Sequence, residues 1–298
     1  MKIILNLIIT ILSIGVFAQQ KDSTVSRRIT TITWMPEGNE IILNIMKIEK
    51  YSKLPPISEK YIYNLKEKKL KALDIEGSGF AVSPDGKSIA FLKFKDNNIY
   101  LYDIGKKTDR LLVKDTIRKH SICWSPEGTK IAYNFQVGTS SNSSVEIAVY
   151  SLSTKEIKQI TNSGKYKSYS PSWNPVNNKI IYFLEKGDLH DQIYLTDSEG
   201  SFHTNLSNDS TSNDNFPSWI DENNIVYIYS RNNIVTMDIN TYQSKKVEGI
   251  HSIAAKYNIS TGKIAYLDKE NKLMIYTMKD KSSEMILNES ILNNLLSK

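Results

Sequence analysis

A ten-residue motif recurs six times along the chain, and this repetition constrains the fold more than any other feature of the sequence. Successive copies lie about 40–50 residues apart, which is the period of a four-stranded β-propeller blade. Such a unit cannot bury its apolar faces alone, so neighbouring copies must pack against one another. The clearest copies are WMPEGNEIIL from Trp34, VSPDGKSIAF from Val82 and WSPEGTKIAY from Trp124, and more degenerate copies begin at Trp173, Trp219 and Tyr257.

Each copy predicts a tight turn followed by a short β-strand. In Ser83-Pro84-Asp85-Gly86, Pro84 presets φ for the turn and Gly86 can take the left-handed conformation after it. Asn177 and Asn223 replace this glycine in later copies, because Asn tolerates that conformation better than most side chains. The turn precedes a short run of apolar, β-rich residues, which indicates a buried strand. Further strands complete each unit, the last one being short, as in 245–247.

We therefore predict an all-β fold, a six-bladed β-propeller of four-stranded antiparallel blades, over residues 29–287. A blade packs both faces against its neighbours, so nearly continuous apolar strands are expected. Tryptophan recurs at one position of the unit, and we interpret it as packing between blades rather than as a ligand cage. These residues are Trp34, Trp124, Trp173 and Trp219.

The WSPDGKxIAF-type unit, followed by an IYxxD-type strand, resembles the repeat of TolB-like six-bladed β-propellers, a WD-repeat-like family with a Pro-Asp-Gly turn. The resemblance extends over residues 29–287. TolB itself carries an α/β domain before its propeller, whereas only residues 19–28 precede the first repeat here, so we expect that domain to be missing. The resemblance implies a propeller that binds proteins of the cell envelope.

The first 18 residues have the pattern of a secretory signal peptide. Lys2 supplies the positive charge, Ile3–Phe17 is mostly apolar, and Ala18 precedes the expected cleavage site. We expect residues 19–28 to form a leader and the mature protein to be periplasmic. The alternative is an uncleaved membrane anchor, although the run is shorter than the roughly 20 apolar residues of a spanning helix. No later stretch is long and apolar enough to be a transmembrane segment.

Charge and cysteine content limit the partners of the chain. The single cysteine, Cys123, excludes an internal disulfide framework and a cysteine-based zinc site. The formal net charge is +6, with a concentration of lysines between Lys47 and Lys71. One interpretation is a basic patch that attracts acidic proteins, polyanions or membrane surfaces. The alternative is that these lysines lie on solvated strand edges, where lysine discourages aggregation. The lysines are not interleaved with aromatic residues, so no nucleic-acid partner is expected. We expect a monomer.

Two segments lie outside the repeat. Residues 49–59 form an apparent insertion in the first unit, and Pro55-Pro56 predicts a stiff loop within it. The C-terminal tail, residues 288–298, places Ile291, Leu292, Leu295 and Leu296 at helical spacing. This pattern predicts a short helix that begins after Ser290 as its N-cap and seals one face of the ring.

Motifs of nucleophilic, phosphate-binding or zinc-dependent catalysis do not occur. The remaining catalytic alternative is a divalent metal held by His120, His190 and His251, because neutral imidazole is a common metal ligand. His120 and His251 precede the predicted inner strands of the third and sixth units, and His190 lies in the loop between the second and third strands of the fourth. Oligogalacturonate lyases resemble this arrangement at the level of the fold, which implies a metal-dependent polysaccharide lyase or hydrolase.

The leading interpretation is a non-enzymatic module that needs no cofactor and binds a protein or peptide of the cell envelope, or a glycan. Its ligand surface would be the funnel formed by the loops that enter the inner strands, namely 118–120, 166–170, 214–216 and 249–251. Exposed aromatic and basic side chains in such loops can anchor a ligand. The candidate binding residues are Arg118, His120, Tyr166, Tyr169, Asn215, Phe216 and His251.

Overall fold

The computed structural model describes residues 25–138, 143–187, 190–208, 211–230, 232–252 and 254–297. The predicted signal peptide, residues 1–18, and most of the predicted leader lie outside this part of the chain. Over the described residues the chain forms β-strands and one C-terminal helix. The first strand begins at Val25, so the repeat region starts before the predicted residue 29.

Within each repeat unit, consecutive strands are neighbours and pair antiparallel. The first four-stranded sheet consists of β1 (Val25–Trp34), β2 (Glu40–Glu49), β3 (Ile57–Asn64) and β4 (Lys69–Ala72). The second consists of β5 (Gly77–Val82), β6 (Ser88–Lys93), β7 (Ile99–Asp103) and β8 (Thr108–Val113).

The middle of the chain forms a sheet of eight strands. Its first half consists of β9 (Lys119–Trp124), β10 (Lys130–Val137), β11 (Ser144–Ser151) and β12 (Ile157–Gln159). Its second half consists of β13 (Lys167–Trp173), β14 (Lys179–Glu185), β15 (Gln192–Asp197) and β16 (Thr204–Asn205).

Two four-stranded sheets complete the described part of the chain. One consists of β17 (Asp214–Trp219), β18 (Asn224–Tyr229), β19 (Asn233–Asp238) and β20 (Ser244–His251). The other consists of β21 (Ala255–Asn258), β22 (Lys263–Leu267), β23 (Leu273–Thr277) and β24 (Ser282–Leu287).

The all-β propeller of four-stranded antiparallel sheets is confirmed, but the prediction of six separate blades is not. The described residues form four separate four-stranded sheets, and the third and fourth repeat units are joined by one parallel bridge, between Val145 and Lys167. Buried Glu146 explains the junction: its carboxylate accepts hydrogen bonds from Thr161 Oγ1 at 2.7 Å and from Ser163 N at 3.0 Å. These bonds draw the segment before β13 against the start of β11.

The repeated motif forms the predicted turns and buried strands. In the second sheet Gly86 has φ 70°, and its N–H donates to the Ser83 carbonyl at 2.9 Å. The following strand, β6, is almost wholly buried, with Ile89, Ala90 and Phe91 at 0% exposure. Burial of such apolar runs supplies the main favourable term in folding.

The tryptophans connect neighbouring repeat units, which confirms their predicted packing role. Trp124 Nε1 donates to the Ala81 carbonyl at 3.0 Å, and Trp219 Nε1 donates to the Ser172 carbonyl at 3.0 Å. Each indole thus satisfies a backbone carbonyl of the preceding unit while its ring packs in the apolar layer between them.

The C-terminal tail forms helix α1 (Glu289–Leu296) against the junction between the first and last sheets. Its N-cap is Asn288 rather than the predicted Ser290, because the Asn288 side chain accepts the Ile291 N–H at 2.9 Å. Leu292 is buried, and Asn293 accepts a 2.7 Å hydrogen bond from Arg27 in β1. Within the described ranges, no helix has the length and apolar character needed to cross a membrane.

Candidate functional site

The strands that begin three of the repeat units carry β-bulges near their first residues. Their pairing shifts between Ser78 and Ala81 in β5, between Tyr169 and Ser172 in β13, and between Asn215 and Ser218 in β17. A bulge bends the strand and redirects its side chains, and bulges are frequent next to functional sites.

Left-handed backbone occurs within these bulges at Gly79, Ser170 and Phe216, with φ 65°, 50° and 51°. At Gly79 a side chain is excluded, because an added Cβ would lie 2.7 Å from the His120 carbonyl oxygen. Phe216 is the bulkiest of the three residues. Positive φ is uncommon for a bulky side chain and marks local strain. Its side chain nevertheless stays 45% exposed.

Four rings form a continuous line across the same region, which we call the aromatic row: His120, Tyr169, Phe183 and Phe216. The ring centroids of His120 and Tyr169 are 5.8 Å apart with the planes at 80°. Tyr169 and Phe183 are 5.6 Å apart, and Phe183 and Phe216 are 5.3 Å apart at 62°. These distances and angles fall in the range of favourable aromatic pairs.

The aromatic row brings together three predicted binding residues, His120, Tyr169 and Phe216. Sequence reasoning missed Phe183, which links Tyr169 to Phe216 from β14. Phe183 lies in the apolar run that follows the fourth repeat turn, so its pattern indicates only a core residue. Its cross-strand pairing with Tyr169 is what places it in the row.

Charged side chains lie near the His120 and Tyr169 end of the aromatic row. Burial lowers the pKa of His120, and the Arg118 guanidinium lowers it further, so the imidazole is neutral at pH 7. Burial raises the pKa of Tyr169, with a further contribution from Glu185. Lys167 pairs with Glu185 at 3.0 Å. The site therefore presents neutral rings beside the exposed cation of Arg118.

Asn215 supports the row rather than facing a ligand. Its side chain is half-buried and donates a hydrogen bond to the Asp191 carboxylate. Burial raises the pKa of Asp191, and the nearby Glu185 carboxylate raises it further. The amide of Asn215 thus stabilises a poorly solvated carboxylate next to β17.

Tyr166 and His251 lie apart from the aromatic row. Tyr166 packs against the buried apolar layer between the third and fourth units, with the Lys165 ammonium 5.5 Å from its ring centroid. His251 is the last residue of β20, where it pairs with Asn233, and the inner strand β21 follows from Ala255. It lines a separate groove of about 940 Å³ together with Arg28 and Lys269.

The metal alternative gains no geometric support. Over the ranges that the structure describes, no three His, Cys, Asp or Glu side chains form a group that could hold a metal ion. His190 is exposed. A divalent metal on His120, His190 and His251 therefore stays a prediction.

Comparison with known proteins identifies the family. The model of the TolB β-propeller domain matches residues 78–246, more than half of the chain, and the protein therefore belongs to the family of TolB-type β-propellers. A search of the curated proteins gives no match.

Solved structures with the same fold include an enzyme and TolB. An oligogalacturonate lyase in complex with manganese matches with a TM-score of 0.64 at 15% identity, over 87% of this chain and 77% of that one. TolB from Acinetobacter baumannii matches with a TM-score of 0.59 at 18% identity, over 89% of this chain and 64% of that one. At these identities the similarity shows the fold alone.

A third solved structure shares the fold. It is the β-propeller domain of the Trilobed protease from Pyrococcus furiosus, described as having an open velcro topology. It matches with a TM-score of 0.60 at 10% identity, over 89% of this chain and 97% of that one. In the described part of the present chain, the first and last sheets are each built from four consecutive strands.

Proposed function

We propose that the protein is a ring of six blades, in which the eight-stranded sheet represents two blades that touch through one bridge. Two observations support this count. The six motif copies each precede the second strand of a four-strand unit. A central channel is lined by residues of β1, β5, β9, β13, β17 and β21, as expected when six inner strands surround one axis.

We propose further that the protein is an exported, monomeric binding module without catalytic activity, and that the aromatic row is its ligand surface. The observation that carries this proposal is Phe216, which stays exposed at φ 51°. A bulky residue in this conformation costs on the order of 1–3 kcal/mol, and such strain clusters at ligand sites. Packing against Phe183 holds the ring in place for a ligand.

The shape of the row favours an extended ligand. Its rings follow one another in steps of 5.3–5.8 Å across β9, β13 and β17. Alternate side chains of an extended peptide lie about 7 Å apart, so two or three of them can contact successive rings. Arg118, exposed beside His120, can pair with an acidic group. We favour a peptide segment of a cell-envelope protein, with a glycan as the alternative.

Site-specific photo-crosslinking in cells tests this function. A photoreactive phenylalanine analogue replaces Phe216, and in a matched control it replaces Phe202, which is also exposed. Phe202 lies between β15 and β16, at the opposite end of the strands, where Ser198 N–H bonds to the Asn178 carbonyl of the repeat turn. We expect envelope-protein peptides to be captured from position 216 and not from 202. Equal capture from both positions, or none from either, would contradict the proposal.

The enzymatic alternative rests on the fold shared with a lyase solved in complex with manganese. Elemental analysis of the purified protein tests it. Stoichiometric manganese, zinc or calcium that is lost on His251→Ala would favour a metal-dependent lyase or hydrolase. A metal-free protein would oppose it.

A further inference from the structure

The central channel contains an amine whose setting the proposed ligand surface does not explain. Lys256 lies on β21, and its backbone carbonyl accepts the indole N–H of Trp34 at 2.8 Å. Lys256 lines the central channel, a cavity of about 460 Å³, and is exposed to it. This volume suits a small organic ligand, since such sites occupy roughly 300–1,000 Å³.

The charge balance of the channel is one-sided. Among the described residues that line it, Lys256 is the only Lys or Arg, and none is Asp or Glu. The other titratable groups that face it are the Cys123 thiol and the Tyr257 phenol. Burial raises the pKa of Cys123 to about 12, so the thiol is neutral and offers no counter-charge. Burial lowers the pKa of Lys256.

The channel walls supply the hydrogen-bond donors and the apolar surface that a small organic anion requires. Hydroxyls of Ser121, Ser172 and Ser218 line the channel and make no hydrogen bond to another residue within the described ranges. Apolar surface comes from aromatic and proline side chains contributed by several strands. They include Trp34, Trp124, Trp173, Pro171 and Pro217.

We propose that the central channel is a binding site for a small organic carboxylate, whose anionic group pairs with the Lys256 ammonium and accepts hydrogen bonds from channel serines. An ammonium that is exposed to a channel without a counter-charge attracts an entering anion, because low-dielectric walls around a site of one charge sign focus its field. A single cation favours a ligand with a single carboxylate. The tryptophan and proline side chains of the walls bury the apolar part of that ligand. This site is separate from the aromatic row and does not depend on the proposed function.

Titration with benzoate tests the site, using the full chain and its tryptophan fluorescence, because three tryptophans line the channel. Benzamide is the matched probe, since it has the same shape without the charge. We expect saturable binding of benzoate and at least a tenfold weaker response to benzamide. An equal response to the two probes, or binding of inorganic phosphate but not of benzoate, would overturn the proposal.

Variants then assign the effect to Lys256. Lys256→Met should weaken benzoate binding at least tenfold, whereas Lys71→Met, at an exposed lysine of β4 outside the channel, should leave it unchanged. Lys256→Arg keeps the charge and should retain binding, which separates loss of the cation from misfolding. Affinity should fall as the pH rises through the pKa of Lys256. Unchanged affinity in Lys256→Met, or pH-independent binding, would contradict the assignment. Phe216→Ala, which lies outside the channel, should leave benzoate affinity unchanged.

Discussion

Trp34 Nε1 donates a 2.8 Å hydrogen bond to the carbonyl oxygen of Lys256 and so joins the first sheet to the last. The same junction contains the reciprocal pair between Asn271 and the backbone of Ile29, at 2.7 and 2.8 Å. Among the described strands, the first and last sheets are joined by such side-chain contacts rather than by a shared backbone ladder. These hydrogen bonds add to the buried apolar layer that the first and last sheets share.

Trp34→Phe tests this junction. The substitution keeps an aromatic ring but leaves the Lys256 carbonyl without its donor, so we expect a loss of about 1–3 kcal/mol in the free energy of unfolding. Urea denaturation measures it. Trp173→Phe is the control, because no hydrogen bond from its indole to another described residue is found. Equal losses in the two variants would show that ring size, and not the hydrogen bond, matters.

Gly86→Val tests the repeat turn. Gly86 has φ 70°, and an added Cβ would meet no atom nearer than 3.9 Å, so the penalty is conformational rather than steric. We expect destabilisation by roughly 1 kcal/mol or more. Gly105→Val, at a glycine without left-handed φ, should cost less. A thermal-unfolding midpoint unchanged in Gly86→Val would contradict the turn assignment.

Glu146→Gln tests the junction between the third and fourth repeat units. The amide supplies one acceptor where the carboxylate now accepts from Thr161 and Ser163, so we expect a loss of about 1–3 kcal/mol. Hydrogen exchange at residues 163–167 should accelerate. Glu199→Gln, at an exposed carboxylate, is the control. If exchange in this segment is unchanged, Glu146 does not hold the two units together.

His120 predicts a pH dependence of stability. Its pKa in the folded state lies below the ordinary value of 6.5, because burial disfavours the imidazolium. The unfolded state then binds more protons, so the stabilising contribution is fully present above pH 6.5 and is lost as the pH falls through this region. NMR titration of the imidazole should give a midpoint below 6.5 that rises in Arg118→Gln. A midpoint at or above 6.5 would contradict the burial of the ring.

The structural features that could be predicted from the sequence are those that depend on a local residue pattern. The turn at Gly86 and the packing of the tryptophans follow from short-range conformational preference and from a repeated position in the unit. The joining of the third and fourth units into one sheet was not predictable, because it depends on a hydrogen bond between Glu146 and Ser163 across a loop. The fourth strand β20 extends to His251, beyond the residues 245–247 expected for it, so His251 is paired within that strand and is followed by β21.

The candidate site was predictable only in part for the same reason. Aromatic residues near inner-strand entries suggested His120, Tyr169 and Phe216, and the structure brings these into one row. Asn215 and Tyr166 were chosen by position alone, and their side chains turn to other partners. The direction of a side chain at a bulge depends on pairing register, which the repeat pattern does not specify.

The most direct test of the central claim is an NMR titration of the isotope-labelled protein with a synthetic peptide of the sequence captured from position 216. The account predicts that chemical-shift changes concentrate on Arg118, His120, Tyr169 and Phe216, and that Phe216→Ala weakens binding at least tenfold, or about 1.4 kcal/mol. Phe202→Ala should leave the affinity unchanged. Shift changes centred on the Phe202 end of the strands, or full affinity in Phe216→Ala, would contradict the assignment of the aromatic row as the ligand surface.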